Sequence, residues 1–206
     1  MRKLVMEFLG TFFLVLTVAV TGNPLAIAAM LMAWVYIGAY VSGAHYNPAV
    51  SLAVGLRGNW LWESILRFWA AQILGGFVAY AVTSFLAGQI VVPTPSIAVL
   101  PAFLVEVLLT FVFALVVLTL ATTQKYAGNY VFGFGIGFTV LALAILGSPF
   151  TGGLFNPAIS IGANAFALLK GVAIDWSHLL MYVGGSLLGG VLAAYAYRYF
   201  GLDEKR

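Results

Sequence analysis

Six stretches of this chain stay apolar for close to the length that crosses a bilayer, and that feature limits its fold more than any other. They cover residues 4–21, 24–41, 60–87, 101–122, 129–147 and 176–200, against roughly 20 residues for a helix spanning a hydrocarbon core about 30 Å thick. In lipid every backbone N–H and C=O must be satisfied inside the protein, so only helices and closed barrels can span. These runs are continuous rather than alternating residue by residue, which excludes a barrel. Composition agrees: 63% of the residues are hydrophobic and 7% charged, where a soluble domain is about 25% charged. So little polar material cannot cover a water-soluble particle. A soluble enzyme, a nucleic-acid binder and a disordered segment are all excluded. There are no cysteines, hence no disulfide and no thiolate metal site, and the sequence offers no catalytic triad, nucleotide-binding motif, metal centre or cofactor site. The expectation is an all-α integral membrane protein with six transmembrane helices. The first run is expected to remain as a span, since no small-residue cleavage site separates it from the second.

The basic residues orient the bundle. With the N-terminus in the cytoplasm, Arg2, Lys3, Arg57, Arg67, Lys125, Arg198, Lys205 and Arg206 fall on the inner side, and Lys170 alone falls outside. Such a bias follows the positive-inside rule. Both termini are therefore expected in the cytoplasm, with the cell membrane as the expected location.

Two segments do not fit the spanning pattern. Ser42-Gly43-Ala44-His45-Tyr46-Asn47-Pro48-Ala49-Val50-Ser51-Leu52-Ala53 and Thr151-Gly152-Gly153-Leu154-Phe155-Asn156-Pro157-Ala158-Ile159-Ser160-Ile161-Gly162 share one pattern. Each is an irregular Gly-containing stretch, then Asn at an N-cap position, Pro at the first helical position, and a short apolar helix. About three turns cannot cross alone. Glu7-x-x-x-Thr11-Phe12 recurs as Glu106-x-x-x-Thr110-Phe111, and Leu74-Gly75-Gly76 recurs as Leu188-Gly189-Gly190. The chain therefore reads as one domain over residues 1–206 built from two repeats, about 1–90 and 100–206. Three spans per repeat give the copies opposite topology, so the two half-helices enter from opposite faces. Paired broken helices in inverted repeats place a site near the midplane.

On these residues the chain resembles the major intrinsic protein family, the aquaporins and glycerol facilitators. The matching features are the two Glu-x-x-x-Thr-Phe openings, His45-Tyr46-Asn47-Pro48-Ala49-Val50, Ala71-Gln72 ahead of the glycine pair, and Thr151-Gly152-Gly153 ahead of Asn156-Pro157-Ala158. The resemblance implies six tilted helices plus two re-entrant half-helices meeting end to end. It also implies a homotetramer in lipid with one pore per subunit, carrying water or small neutral solutes. Family members commonly place an Arg after the second Asn-Pro-Ala, opposite an aromatic or His. Counted from the asparagines, the four filter positions here are Ile27, Ala144, Gly153 and Ile159, with no arginine, histidine or aromatic ring. Ser160 and Tyr182 follow the water channels, while Asn164 matches neither branch.

Physically, two half-helix N-termini bring roughly half a positive charge each to one place, and the Asn47 and Asn156 amides add N–H donors. Residues 42–46 and 151–155 are expected to offer carbonyl acceptors along an aqueous path. A molecule there accepts from the amides and cannot pass a proton on, and cations meet a positive potential. An Ile, Ala and Gly filter, without the fixed charge of Arg, predicts a wide apolar outer mouth open to glycerol, urea, ammonia or hydrogen peroxide as well as water. Glu7 and Glu106, the acids deep in the spans, read as braces of the re-entrant loops by resemblance, or as proton-coupling groups. His45 reads as lining the pore or tying down its loop, and His178 as an external interfacial residue. The alternatives are a strict water pore, a coupled secondary transporter and a non-conducting scaffold.

Overall fold

The computed structural model describes residues 1–202; Lys205 and Arg206, used above to orient the chain, lie outside the described residues. Among the described residues the chain forms eight α-helices and one 3-10 turn, with no strand. In chain order these are α1 (Arg2–Thr21), α2 (Pro24–Gly38), α3 (Pro48–Gly58), α4 (Trp62–Ala87), α5 (Val99–Thr122), α6 (Phe132–Gly147), α7 (Pro157–Leu169) and α8 (Trp176–Tyr199), with the 3-10 turn at Gln124–Tyr126.

The helix boundaries are local chemistry. Asn23 caps α2, its Oδ1 accepting from the N–H groups of Leu25 (2.9 Å) and Ala26 (3.2 Å) ahead of Pro24, and Gly22 closes α1 in the left-handed region at φ 56°. Asp175 caps α8 through the N–H groups of Ser177 and His178. The Ser177 hydroxyl, followed by these amides, holds its carboxyl below the usual carboxylate range.

Polarity runs inside out relative to a soluble bundle. On α5, Leu104, Leu108 and Val112 form an exposed stripe at four-residue spacing, while Glu106, Thr110, Phe113, Ala114 and Val117 are buried. Four helices (α1, α4, α5 and α8) are long and apolar enough to cross a membrane on their own. The second and fifth apolar runs are only partly helical: α2 has 15 residues and α6 has 16, roughly 22–24 Å at 1.5 Å per residue. Each ends on a glycine where the chain turns inward. Val41 and Ser42 N–H groups both donate to Gly38 O, and Phe150 and Thr151 N–H groups both donate to Gly147 O. A Cβ at Gly38 would lie 1.8 Å from Tyr46 Oη, and one at Gly147 would lie 2.6 Å from Gly153 Cα. The helix stops where its own re-entrant loop packs on it.

Helices α1–α4 and α5–α8 pack alike: α1 lies on α4 as α5 lies on α8, and α3 touches α4 as α7 touches α8. The halves interlock through α2 on α6, α3 on α8 and α7 on α4. Glycine makes both kinds of contact close enough. A Cβ at Gly75 would meet Phe8 O at 2.6 Å, and one at Gly189 would meet Val107 O at 2.5 Å. The Thr11 and Thr110 Cβ atoms sit under the same two glycines, at 3.3 and 2.7 Å from the added carbon. Their neighbours reach across the repeats: Gly76 abuts Ala158 O, and Gly190 abuts Ala49 O, at 2.3 and 2.6 Å from an added Cβ. Helices α4 and α8 thus each seat the half-helix of the other repeat by backbone approach. Gly76→Ala and Gly190→Ala should each cost about 1–3 kcal/mol through overpacking against immobile backbone. Thermal unfolding in detergent should show a clear drop for both. It should show a much smaller one for Gly184→Ala, whose Cβ would meet the Phe103 ring at 3.3 Å.

Candidate functional site

The half-helices α3 and α7 meet N-terminus to N-terminus, and their two asparagines are crossed. Asn47 Nδ2 donates to Phe155 O (2.8 Å), and Asn156 Nδ2 donates to Tyr46 O (3.0 Å). Each Oδ1 caps its own helix, accepting from Ala49 N–H (2.8 Å) and Ala158 N–H (3.0 Å). Pro48 and Pro157 occupy the first helical positions, where no N–H is missed. An amide NH2 carries two hydrogens, so one N–H of each asparagine is left over. Both side chains line a single cavity. At this level the protein presents donors.

The loops that deliver the asparagines are strained. Gly43, Ala44 and Tyr46 have φ of 97°, 52° and 50°, and Gly152, Gly153 and Phe155 have 81°, 63° and 33°. Left-handed backbone at non-glycine residues costs on the order of 1–3 kcal/mol each. A buried carboxylate in each repeat offsets that cost. Glu7 Oε1 accepts from Ser42 Oγ (2.5 Å) and His45 N–H (3.0 Å), and its Oε2 accepts from Tyr46 N–H (2.7 Å). Glu106 Oε1 accepts from Thr151 Oγ1 (2.6 Å) and Leu154 N–H (3.3 Å), and its Oε2 accepts from Phe155 N–H (2.7 Å). Ser42 and Thr151 each accept from the N–H two residues on, at 3.1 Å. The fourth partner differs: Gln72 Nε2 donates to Glu7 at 2.8 Å, whereas Ser186 Oγ reaches Glu106 at 3.5 Å. With this many donors on each carboxylate, the residues around Glu7 and Glu106 form braces for the loops.

The Tyr46 and Phe155 carbonyls, two of the expected acceptors, each take one crossed amide, which leaves one lone pair on each. His45 is clamped: its Nδ1 lies 3.0 Å from Ser51 Oγ, and its ring packs on Trp60 and Phe68 at 5.5 and 5.2 Å. Ser51 Oγ also accepts from Gln72 Nε2 (2.8 Å), tying His45 into the Glu7 network. Ile27, Ala144, Gly153 and Ile159 line the same cavity as Asn47, Asn156 and His45. Glu7 and Glu106 stand behind the loops and do not line it.

Several residues make supporting bonds not assigned to them from the sequence. Tyr46 fills the gap over Gly10 and Gly38 and donates to Trp34 O at 2.8 Å. Trp69 Nε1 donates to Pro48 O at 2.9 Å. Tyr182 donates to Thr151 O at 2.7 Å, so it steadies the second loop, and Asn164 bonds within its own helix to Ser160 O. Helix spacing offers a signal for the fourth partners of the two glutamates: Gln72 and Gly76 share a face of α4, as do Ser186 and Gly190 of α8.

A family model described as major intrinsic protein matches residues 19–197. The chain belongs to the major intrinsic protein family. It is 36% identical to "Glycerol uptake facilitator protein-like 6" of Lactiplantibacillus plantarum, over 99% of this chain and all of that one. It is 30% identical to "Aquaporin NIP1-3" of Oryza sativa subsp. japonica, over 99% of this chain and 75% of the relative. The X-ray structure of the aquaglyceroporin from Plasmodium falciparum superposes with a TM-score of 0.83 at 23% identity, covering 95% of this chain and 94% of that one. The fold is aquaporin-like, and this family member is an integral membrane channel of the aquaporin and glycerol-facilitator type.

Removing one brace tests the site's construction. Glu106→Ala would leave the Thr151 hydroxyl and the Leu154 and Phe155 N–H groups unpaired, at about 1–3 kcal/mol for each buried group. Little monodisperse protein should survive in detergent. Glu106→Gln, which keeps one acceptor oxygen, should recover part of it. A Glu106→Ala protein with the parent's unfolding temperature would contradict the brace.

Proposed function

We propose that this family member is a passive channel for water and for small neutral solutes such as glycerol, urea, ammonia and hydrogen peroxide. Protons and ions are excluded at the paired asparagines. The observation that carries the reading is the joint lining of one cavity by Asn47, Asn156 and the four ring residues Ile27, Ala144, Gly153 and Ile159.

Both asparagine oxygens are engaged as caps, so a passing molecule meets only N–H donors and two converging helix N-termini. A water there points both hydrogens away from the asparagines, toward opposite ends of the path, which breaks the chain along which a proton would hop. The outer ring supplies no charge and no ring system, which favours neutral solutes larger than water and places ion rejection on the asparagines alone. A relative named as a glycerol uptake facilitator supports solute passage, and one named as an aquaporin supports water. Coupling through a carboxylate needs it in the path, and those of Glu7 and Glu106 are committed to loop N–H groups behind it; His45, which does line the path, is held by Ser51. No enzymatic role and no cofactor enter this reading.

The proposal extends to assembly and placement. The whole chain acts as one conduit domain, four copies assemble in the lipid of the cell membrane, and both termini face the cytoplasm. Arg57 and Arg198 support that sidedness. Arg57 donates to Thr122 O at the end of α5, and Arg198 donates to Leu56 O at the end of α3, which gathers basic residues at one end of the bundle.

Stopped-flow light scattering on proteoliposomes tests the reading. Water flux should exceed that of protein-free vesicles, and glycerol or urea should follow down its own gradient without a proton or sodium gradient. Ile159→Arg should lower both solute flux and any cation leak. High water flux with glycerol entry no faster than through bare lipid would overturn the wide-mouth reading in favour of a strict water pore.

A further inference from the structure

We infer that solutes are sorted by size at a collar formed by Phe113, Leu31 and the edge of His45 beside the crossed asparagines, not at the outer ring. The inference rests on the channel reading above and names where that channel discriminates.

Two cavities, of about 630 and 1030 Å³ including the solvent at their mouths, run into the bundle. The first is bounded by Gly22, Pro24 and Ser148 at its open end and holds the asparagines. The second opens among residues 122–129. Three residues belong to the walls of both: Leu31, His45 and Phe113. They come from α2, the first re-entrant loop and α5, so three separate elements converge where one cavity gives way to the other.

The bulk at this point arises from a difference between the repeats. Phe113 lies seven residues after Glu106, two turns along the same face of α5. The corresponding residue seven after Glu7 is Leu14, which lines the outer cavity but not the inner one. Phe113 thus puts an aromatic ring at the junction of the two cavities, while Leu14 puts a smaller aliphatic in the first cavity alone.

The collar is also rigid, as a size filter must be. Phe113 is 4% exposed and packs on the Phe155 ring, with centroids 5.5 Å apart. Phe155 is held at its N–H by Glu106 and at its carbonyl by Asn47. Leu31 is 3% exposed. His45 is fixed by Ser51, Trp60 and Phe68. By contrast, two of the four outer-ring positions are Ala and Gly, whose side chains reach little or no distance into a lumen. Two apolar walls and one imidazole corner suit slim, unbranched neutral molecules that carry hydrogen-bonding groups along one edge. Branched carbon skeletons meet Phe113 and Leu31.

The test measures permeability of proteoliposomes to water, glycerol and a larger, branched polyol, in the parent, Phe113→Leu, Leu31→Ala, Ile159→Ala and the lipid-facing Leu108→Ala. Phe113→Leu and Leu31→Ala open the same collar from two different helices, so either suffices if the other fails to fold. Each should raise the branched-polyol-to-water ratio by about tenfold, the low end of what one or two carbons impose in a tight apolar site. Ile159→Ala should raise it less, and Leu108→Ala should leave it alone. A ratio that rises with Ile159→Ala and stays fixed in both collar variants overturns the collar while leaving the channel intact. Parent vesicles no more permeable to water than bare lipid overturn the channel reading and the collar with it.

Discussion

Two stretches of irregular backbone lie inside the helical bundle, where lipid can serve none of their polar groups, and the rest of the molecule is arranged around keeping them there. Backbone that is neither helix nor sheet is tolerated at membrane depth only when protein encloses it or a cavity receives it. Here the solution is applied twice. A buried glutamate gathers the N–H groups of each loop, a small hydroxyl residue closes the turn, and the asparagine at the loop's end donates to the opposite loop's carbonyl. Because the asparagine bonds are reciprocal, neither loop can move without releasing the other. The neighbouring glycines then let long helices close on the half-helices from behind, so the strain in the loops is held by packing as well as by hydrogen bonds.

The symmetry of this scaffold makes its departures informative. The carboxylates, loop hydroxyls, caps and glycines match between repeats almost atom for atom. The residues lining the cavities do not: Leu14 is paired with Phe113 and Ala44 with Gly153, and Ile159 has as its counterpart Val50, which lines neither cavity. Selection for a fold accounts for the matched set, since a change in any member leaves a buried group unpaired or a backbone contact blocked. The unmatched set is where permeation chemistry can vary without cost to the bundle.

Much of this was legible in the sequence because bilayer physics leaves few choices. Apolar runs of spanning length became helices, and the Asn-Pro pairs marked the half-helix starts, since Asn caps and Pro tolerates only the first turn. Glu7 and Glu106 stood out as ionisable groups among apolar residues, though their role as braces came by resemblance. What stayed hidden has a common cause. In a lipid-facing bundle the inward and outward faces are both apolar, so hydropathy does not tell Phe113, which borders two cavities, from Leu108, which faces outward. The end of α2 was overrun for the same reason: residues 39–41 are as apolar as the helix before them, and only packing of Tyr46 against Gly38 ends it. The recurrence of the Leu-Gly-Gly triplets is visible in the sequence, but the partners of Gly76 and Gly190, carbonyls of the opposite repeat, follow from the tertiary fold alone.

The absence of native cysteine allows a direct probe of the central claim, a water path running beside the crossed asparagines. Val140 on α6 lines the cavity that holds them, and Phe138, two residues earlier, is 57% exposed on the surface of the bundle. Water flux through Val140→Cys proteoliposomes should be blocked by a water-soluble mercurial and restored by a thiol, with Phe138→Cys and the parent unaffected. Unimpaired flux in fully labelled Val140→Cys protein, or block through Phe138→Cys instead, would contradict the account.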